Sequence, residues 1–244
     1  MGVLDGKTAL VTGGSRGIGR AIVQRLARDG ASVVFSFARD DAAAAALETD
    51  VPKATAVQAD LAERTAAVAL YDAAEQQLNG LDILVNNAGS STVPASISQT
   101  SDADYDQIMA VNTRAVFTLM REAATRLRDS GRIVNISTIN TVAPTAAAGV
   151  HAASKAAVEQ FAAAAARELG ARGVTVNSVS PGATDTDLLH SNNPGIDVAD
   201  VVGPITPLGR LGRPDDIADV VAFLVGPDGR WMTGQNLRAG GGLA

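Results

Sequence analysis

The chain has 244 residues, a net charge of -6, and 46% hydrophobic but only 3% aromatic residues. This is ample apolar material for a core packed from Ala, Val, Leu and Ile, and it excludes a disordered chain. The absence of cysteine excludes disulfides, thiolate metal sites and a cysteine nucleophile. An acidic chain without a basic cluster is a poor nucleic-acid binder, so no nucleic-acid partner is expected.

Short apolar runs alternate with helical stretches. Residues 8–11 read as a buried strand, and residues 18–29 as a helix with Ile18, Ile22 and Leu26 on one face and Gly30 at its C-terminal end. Strands follow at 32–36, 55–58, 83–85, 132–136, 174–179 and 235–238. Helices are expected from residue 41 and over 62–78, 101–127, 152–169 and 214–224. Alternation of this kind gives parallel strands joined by crossover helices, an α/β doubly wound sheet of Rossmann type with helices on both faces. No linker divides the chain, so residues 1–244 are read as one domain. Residues 183–209 differ, with three prolines and several Asn and Asp after a strand end, and read as a lid over a substrate.

The N-terminus lacks the features of a signal peptide, Gly6 stands where a myristoylation signal needs Ser or Thr, and no apolar run reaches membrane-spanning length. A cytoplasmic protein without a membrane partner is expected.

The first strand runs into Thr12-Gly13-Gly14-Ser15-Arg16-Gly17-Ile18-Gly19. Glycines at 13, 17 and 19 permit a tight turn and close approach of backbone to phosphate, and the helix that follows aims free N–H groups at an anion. Between strand and helix, this is the setting a dinucleotide requires. The same residues fit Gly-x-Ser-x-Gly with Ser15 as a hydrolase nucleophile, but that elbow follows several strands and here only one precedes it. An NAD site carries an acidic residue at the end of strand two. Here the positions are Phe37, Ala38 and Arg39, with no carboxylate before Asp40. Arg39 and Arg16 can flank a 2′-phosphate, so NADP(H) is expected over NAD(H).

Further motifs follow in order: Asp60-Leu61, Asn86-Asn87-Ala88-Gly89, Val111-Asn112, Ile136-Ser137-Thr138, Ser154-Lys155, Pro181-Gly182 and Thr233-Gly234. With them the chain resembles the short-chain dehydrogenase/reductase family over nearly its whole length, and within it the 3-oxoacyl-carrier-protein reductase type. The resemblance implies that Asp60 and Leu61 contact adenine and that Asn87, Ala88 and Gly89 line the cofactor. Pro181, Gly182, Thr184 and Thr186 would hold the nicotinamide end. Asn112 would support a water relay, and Lys155, one of only three lysines, would hold the nicotinamide ribose and tune the catalytic acid. A small-molecule substrate and a homotetramer are implied too, with Phe161, Ala162, Ala164, Ala165 and Ala166 at a helix interface.

One departure stands out. The family pattern Tyr-x-x-x-Lys reads His151-Ala152-Ala153-Ser154-Lys155, and the serine position 13 residues earlier holds Thr138. Thr138 keeps a hydroxyl. His151 is shorter than tyrosine, and a neighbouring lysine cation disfavours its protonated form. Three readings follow: His151 serves carbonyl/alcohol chemistry; the site turns to an imine/amine pair that needs no strong acid; or the protein binds NADP(H) without catalysis. His190, in the expected lid, reads as an exposed loop residue. No residue spacing supports a metal site.

Overall fold

The computed structural model describes residues 2–90 and 95–244. Strands β1 (Thr8–Val11), β2 (Ser32–Phe37), β3 (Ala54–Gln58), β4 (Ile83–Asn86), β5 (Arg132–Ile136), β6 (Thr175–Pro181) and β7 (Asn236–Ala239) form one parallel sheet in the order β3-β2-β1-β4-β5-β6-β7. The order reverses between β1 and β4, so the loops after these two strands diverge and leave a crevice at the C-terminal edge.

Alternation along the strands explains the two-faced core. Val11, Val85, Val134 and Val179 face one apolar layer, covered by helices α1 (Gly17–Arg28) and α9 (Pro214–Val225). Leu10, Leu84, Ile133 and Val176 face the other, covered by α3 (Ala66–Leu78), α5 (Ala115–Arg126) and α6 (Gly149–Leu169). The helix α2 (Asp41–Asp50) starts where residue 41 was expected, with Asp40 accepting a hydrogen bond from Ala43 N at 2.9 Å as its cap.

Four expected elements differ. The helix expected over 62–78 begins at Ala66, because Asp60 draws Ala62 N (3.0 Å) and Glu63 N into a turn. The helix expected over 101–127 is α4 (Asp102–Met109), a wider π turn at Ala110–Arg114, and then α5. The helix expected from 152 begins at Gly149 and brings His151 into its first turn. Strand β6 runs on to Pro181, paired with Ala239 across the sheet. The segment 183–209 contains two one-turn helices, α7 (Asp187–Ser191) and α8 (Val198–Val202). Among the described residues no helix is long and apolar enough to cross a membrane, and no group of His, Asp or Glu could hold a metal ion.

Candidate active site

The turn after β1 is built to stay open. Gly13 has φ +66, and a Cβ there would sit 2.9 Å from Ala88 Cα. A Cβ on Gly19 would lie 2.1 Å from Gly13 O. Side chains would therefore close the gap between turn and β4 or push α1 away from the turn. Thr12 Oγ1 ties the turn to β4 by accepting from Asn87 N (3.0 Å) and Ala88 N (2.9 Å). The Asn87 amide donates to Thr12 O and Gly13 O, so its role is to hold the turn. Ser36, buried in β2, accepts from Gly13 N at 3.1 Å. Neither Thr12 nor Ser36 was assigned a role from the sequence. A serine between two phenylalanines in β2 was the available signal.

Ser15 is buried, whereas Arg16 is exposed at the N-terminus of α1. Arg39 is exposed beyond β2, after Phe37 and Ala38. Neither arginine has an ion-pair partner among the described residues. Asp60 is exposed near the end of β3, while the Leu61 side chain turns into the core. The Thr186 methyl carbon lies 3.3 Å from where a Cβ on Gly17 would stand, so the chain leaving β6 passes over the turn. Gly182 packs on Gly240, where a Cβ would meet Cα at 2.8 Å. Thr184 is buried with its hydroxyl on Gly182 O at 3.0 Å.

A second cluster lies where β4, the π turn and α6 meet. Asn112, fully buried, donates through Nδ2 to Ser90 O and Ser154 Oγ, both at 3.0 Å, and accepts from Ser90 N at 2.7 Å. The same Nδ2 stands 3.4 Å from His151 Nδ1. Ser154 Oγ in turn donates to His151 O at 2.7 Å. Lys155 is buried at 4% exposure, and its Nζ donates to Ile136 O at 2.8 Å. A Cβ on Gly89 would lie 3.7 Å from both Lys155 Nζ and Asn112 Oδ1, so the backbone after β4 lies against these groups. Thr138, just past β5, accepts from Asn140 N at 3.3 Å and begins a short 3₁₀ turn that packs on α6. Ser137 beside it points elsewhere, onto Glu159 at 2.5 Å.

Burial sets the electrostatics of this cluster. Desolvation brings the Lys155 ammonium down to about 8. Desolvation first, and then the Lys155 charge, push His151 down to about 4, outweighing the Ser90 carbonyl that favours its protonated form. His151 is therefore neutral at pH 7 and Lys155 mostly charged. His190 lies apart, exposed, with Nε2 2.8 Å from Asp185 Oδ1. Of the residues expected at a helix interface, Ala162 and Ala166 face the chain's own core, while Ala164 is exposed.

Comparison with known proteins agrees with this geometry. A family model described as enoyl-(acyl carrier protein) reductase matches residues 13–244. An uncharacterized oxidoreductase of Methylorubrum extorquens is 40% identical, with 100% of each chain covered. Two crystal structures superpose with a TM-score of 0.92 at 41% identity. One is a blue fluorescent protein from a metagenomic library in complex with NADPH, with 99% of each chain covered. The other is a short-chain dehydrogenase from Burkholderia cenocepacia in complex with NADP, with 98% of each covered. A crevice at the strand reversal, a glycine turn opening α1, and a buried lysine beside Asn112 thus coincide with likeness over the whole chain, and the protein belongs to the short-chain dehydrogenase/reductase family of oxidoreductases.

Proposed function

We propose that the protein is an NADP(H)-dependent carbonyl reductase, able to run in reverse as an alcohol dehydrogenase, in which a neutral His151 replaces the usual phenol. The observation that carries this reading is the gathering of Lys155, Asn112, His151 and Gly89 at the sheet edge beside an open glycine turn.

The residues fit the dinucleotide. The backbone N–H groups at the start of α1 face the end of the crevice where the turn leaves room for phosphate. Arg16 and Arg39 are unpaired and exposed, as recognition of a 2′-phosphate requires. The first carboxylate after β2, Asp40, is already committed to capping α2. Two 41%-identical neighbours hold NADPH or NADP, which supports the same preference here. When bound, the cofactor supplies or accepts a hydride.

The chain's own groups then stabilise charge on the substrate oxygen. A neutral imidazole is a hydrogen-bond donor rather than a strong acid; it polarises the carbonyl, and the alkoxide left by hydride addition takes its proton from solvent water. Asn112 Nδ2 gives its two hydrogens to Ser90 O and Ser154 Oγ, so for catalysis the single N–H of the neutral ring must leave the Ser90 carbonyl for the substrate oxygen. The Thr138 hydroxyl is the second donor, and the buried Lys155 cation favours negative charge developing close by. That same cation opposes a positively charged nitrogen, so the carbonyl is favoured over the imine. The segment 183–209 serves as the substrate lid, and a homotetramer is the assembly that the family suggests.

NADPH oxidation with a panel of ketones, for the protein beside His151→Ala and His151→Tyr, tests this reading. We expect turnover by the protein and a loss of about 100-fold in His151→Ala, the size of one lost transition-state donor. Turnover by His151→Tyr alone would instead mean a cofactor-binding protein without its own catalysis.

A further inference from the structure

Charge is distributed unevenly around the crevice. The exposed unpaired arginines, Arg16 and Arg39, lie at the end where the turn and β2 meet. The substrate end is different. No Asp, Glu, Lys or Arg occurs between Asp82 and Asp102, or between Arg132 and Lys155. The first stretch contains Ser90 and the second contains Thr138 and His151. Residues 183–209 carry four aspartates, two of which flank Thr186 at the glycine turn, and the first basic residues after them are Arg210 and Arg213. Among the described residues the cation beside His151 is Lys155, which is buried and bonded to backbone.

These segments also expose aliphatic side chains. Ile97 is 80% exposed, and its Cγ1 lies 3.2 Å from where a Cβ on Gly149 would stand, two residues before His151. Val142, 45% exposed, ends the 3₁₀ turn that Thr138 begins. Leu208, 71% exposed, donates its N–H to Gly241 O, and the adjacent Gly240 packs towards Ile139 of the same 3₁₀ turn. Aliphatic side chains thus rim the substrate end from three separate segments.

We propose that the substrate is an uncharged, apolar aliphatic ketone, and that the site rejects acyl groups carried on an anionic thioester or an acidic carrier protein. This rests on the reductase reading and narrows it. An anionic handle entering between the stretches 83–101 and 133–154 would lose its hydration and meet no lysine or arginine side chain from either before Lys155. An alkyl chain would instead cover the exposed Ile, Val and Leu surface.

Titration calorimetry on the protein saturated with oxidised cofactor tests the inference by binding alone. The probes are the ketones from 2-butanone to 2-octanone, and acetoacetyl-coenzyme A as the anionic thioester. We expect affinity to rise along the ketones by a factor of about four per buried methylene, and 2-octanone to bind at least about tenfold tighter than the thioester. Leu208→Asp and Ile97→Asp should each weaken 2-octanone, and Leu208→Arg should strengthen the thioester. Equal or tighter thioester binding, a flat ketone series, or binding of neither probe would overturn the inference. Separate NADPH titration by fluorescence distinguishes the failures: intact cofactor binding with any of these results sinks the substrate class alone, and absent cofactor binding sinks the reductase reading with it.

Discussion

A histidine that is half-buried one turn from a lysine cation has its protonation state decided by solvation before any partner acts. His151 keeps its neutral form down to about pH 4, against an ordinary value of 6.5. In the unfolded chain it takes up a proton below 6.5, so the folded state binds fewer protons between 6.5 and 4, and stability falls as the pH falls through that window. The loss approaches about 3 kcal/mol for a displacement of this size, or several degrees of melting temperature for a chain of this length. His151→Asn lacks this titration, so we expect its melting temperature to fall less between pH 7 and pH 4 than that of the parent. Parallel curves would show that burial does not hold the ring neutral. A second residue acts at the same depth without touching the reacting atoms. Glu159, one turn after Lys155, accepts from Ser137 Oγ (2.5 Å) and Ser180 Oγ (3.3 Å), and so ties the ends of β5 and β6 together. Glu159→Ala leaves the Ser137 hydroxyl short of its acceptor, while Ser180 Oγ keeps Asn236 Oδ1 at 2.8 Å, and should cost about 1–3 kcal/mol in denaturant melts. Glu159→Gln retains an acceptor and should lose less than half of that.

At the scale of elements, the site depends on how the loops after β1 and β4 are held apart and yet tied together. Gly13 needs its positive φ and the space beside Ala88, and an alanine there adds strain of about 1–2 kcal/mol together with a backbone clash. We expect Gly13→Ala to lower NADPH affinity by more than about tenfold while far-ultraviolet circular dichroism stays unchanged; retained affinity would mean that the turn is not the phosphate cradle. The strands and the glycine turn were legible because buried parallel strands are unbroken apolar runs and because glycines at that spacing have few other uses. Three features were not. The π turn at Ala110–Arg114 leaves helical periodicity almost untouched, yet it accompanies the placement of Asn112 on Ser90 and Ser154 and of Thr113 Oγ1 on Ser154 O. The start of α6 at Gly149 carries no side-chain cap, so nothing in the residues announces it. The segment 183–209 owes its two short helices to caps by Thr186 and Asp197, which read equally well as loop residues. The family pattern Tyr-x-x-x-Lys marked His151 as a departure, but its neutrality depends on its burial in the fold.

Over the whole molecule, the net charge of -6 opposes the approach of an anionic dinucleotide, so attraction must be local. In the proposed cofactor site, Arg16 and Arg39 would supply it at the β2 end of the crevice, where they are exposed and without an ion-pair partner among the described residues. Arg39→Asp reverses the local sign at one point. A carboxylate there would repel a 2′-phosphate and accept a hydrogen bond from a 2′-hydroxyl. A charge-assisted contact of this kind is worth about 1.5–3 kcal/mol, a factor of about 10 to 100. We expect Arg39→Asp to weaken NADPH by that factor, to tighten NADH, and to flatten the salt dependence of NADPH binding, since fewer exposed charges then remain to be screened. All three are read from fluorescence titrations at two ionic strengths. Unchanged NADPH affinity would move recognition of the phosphate away from Arg39 and onto Arg16, where Arg16→Ala would then produce the loss.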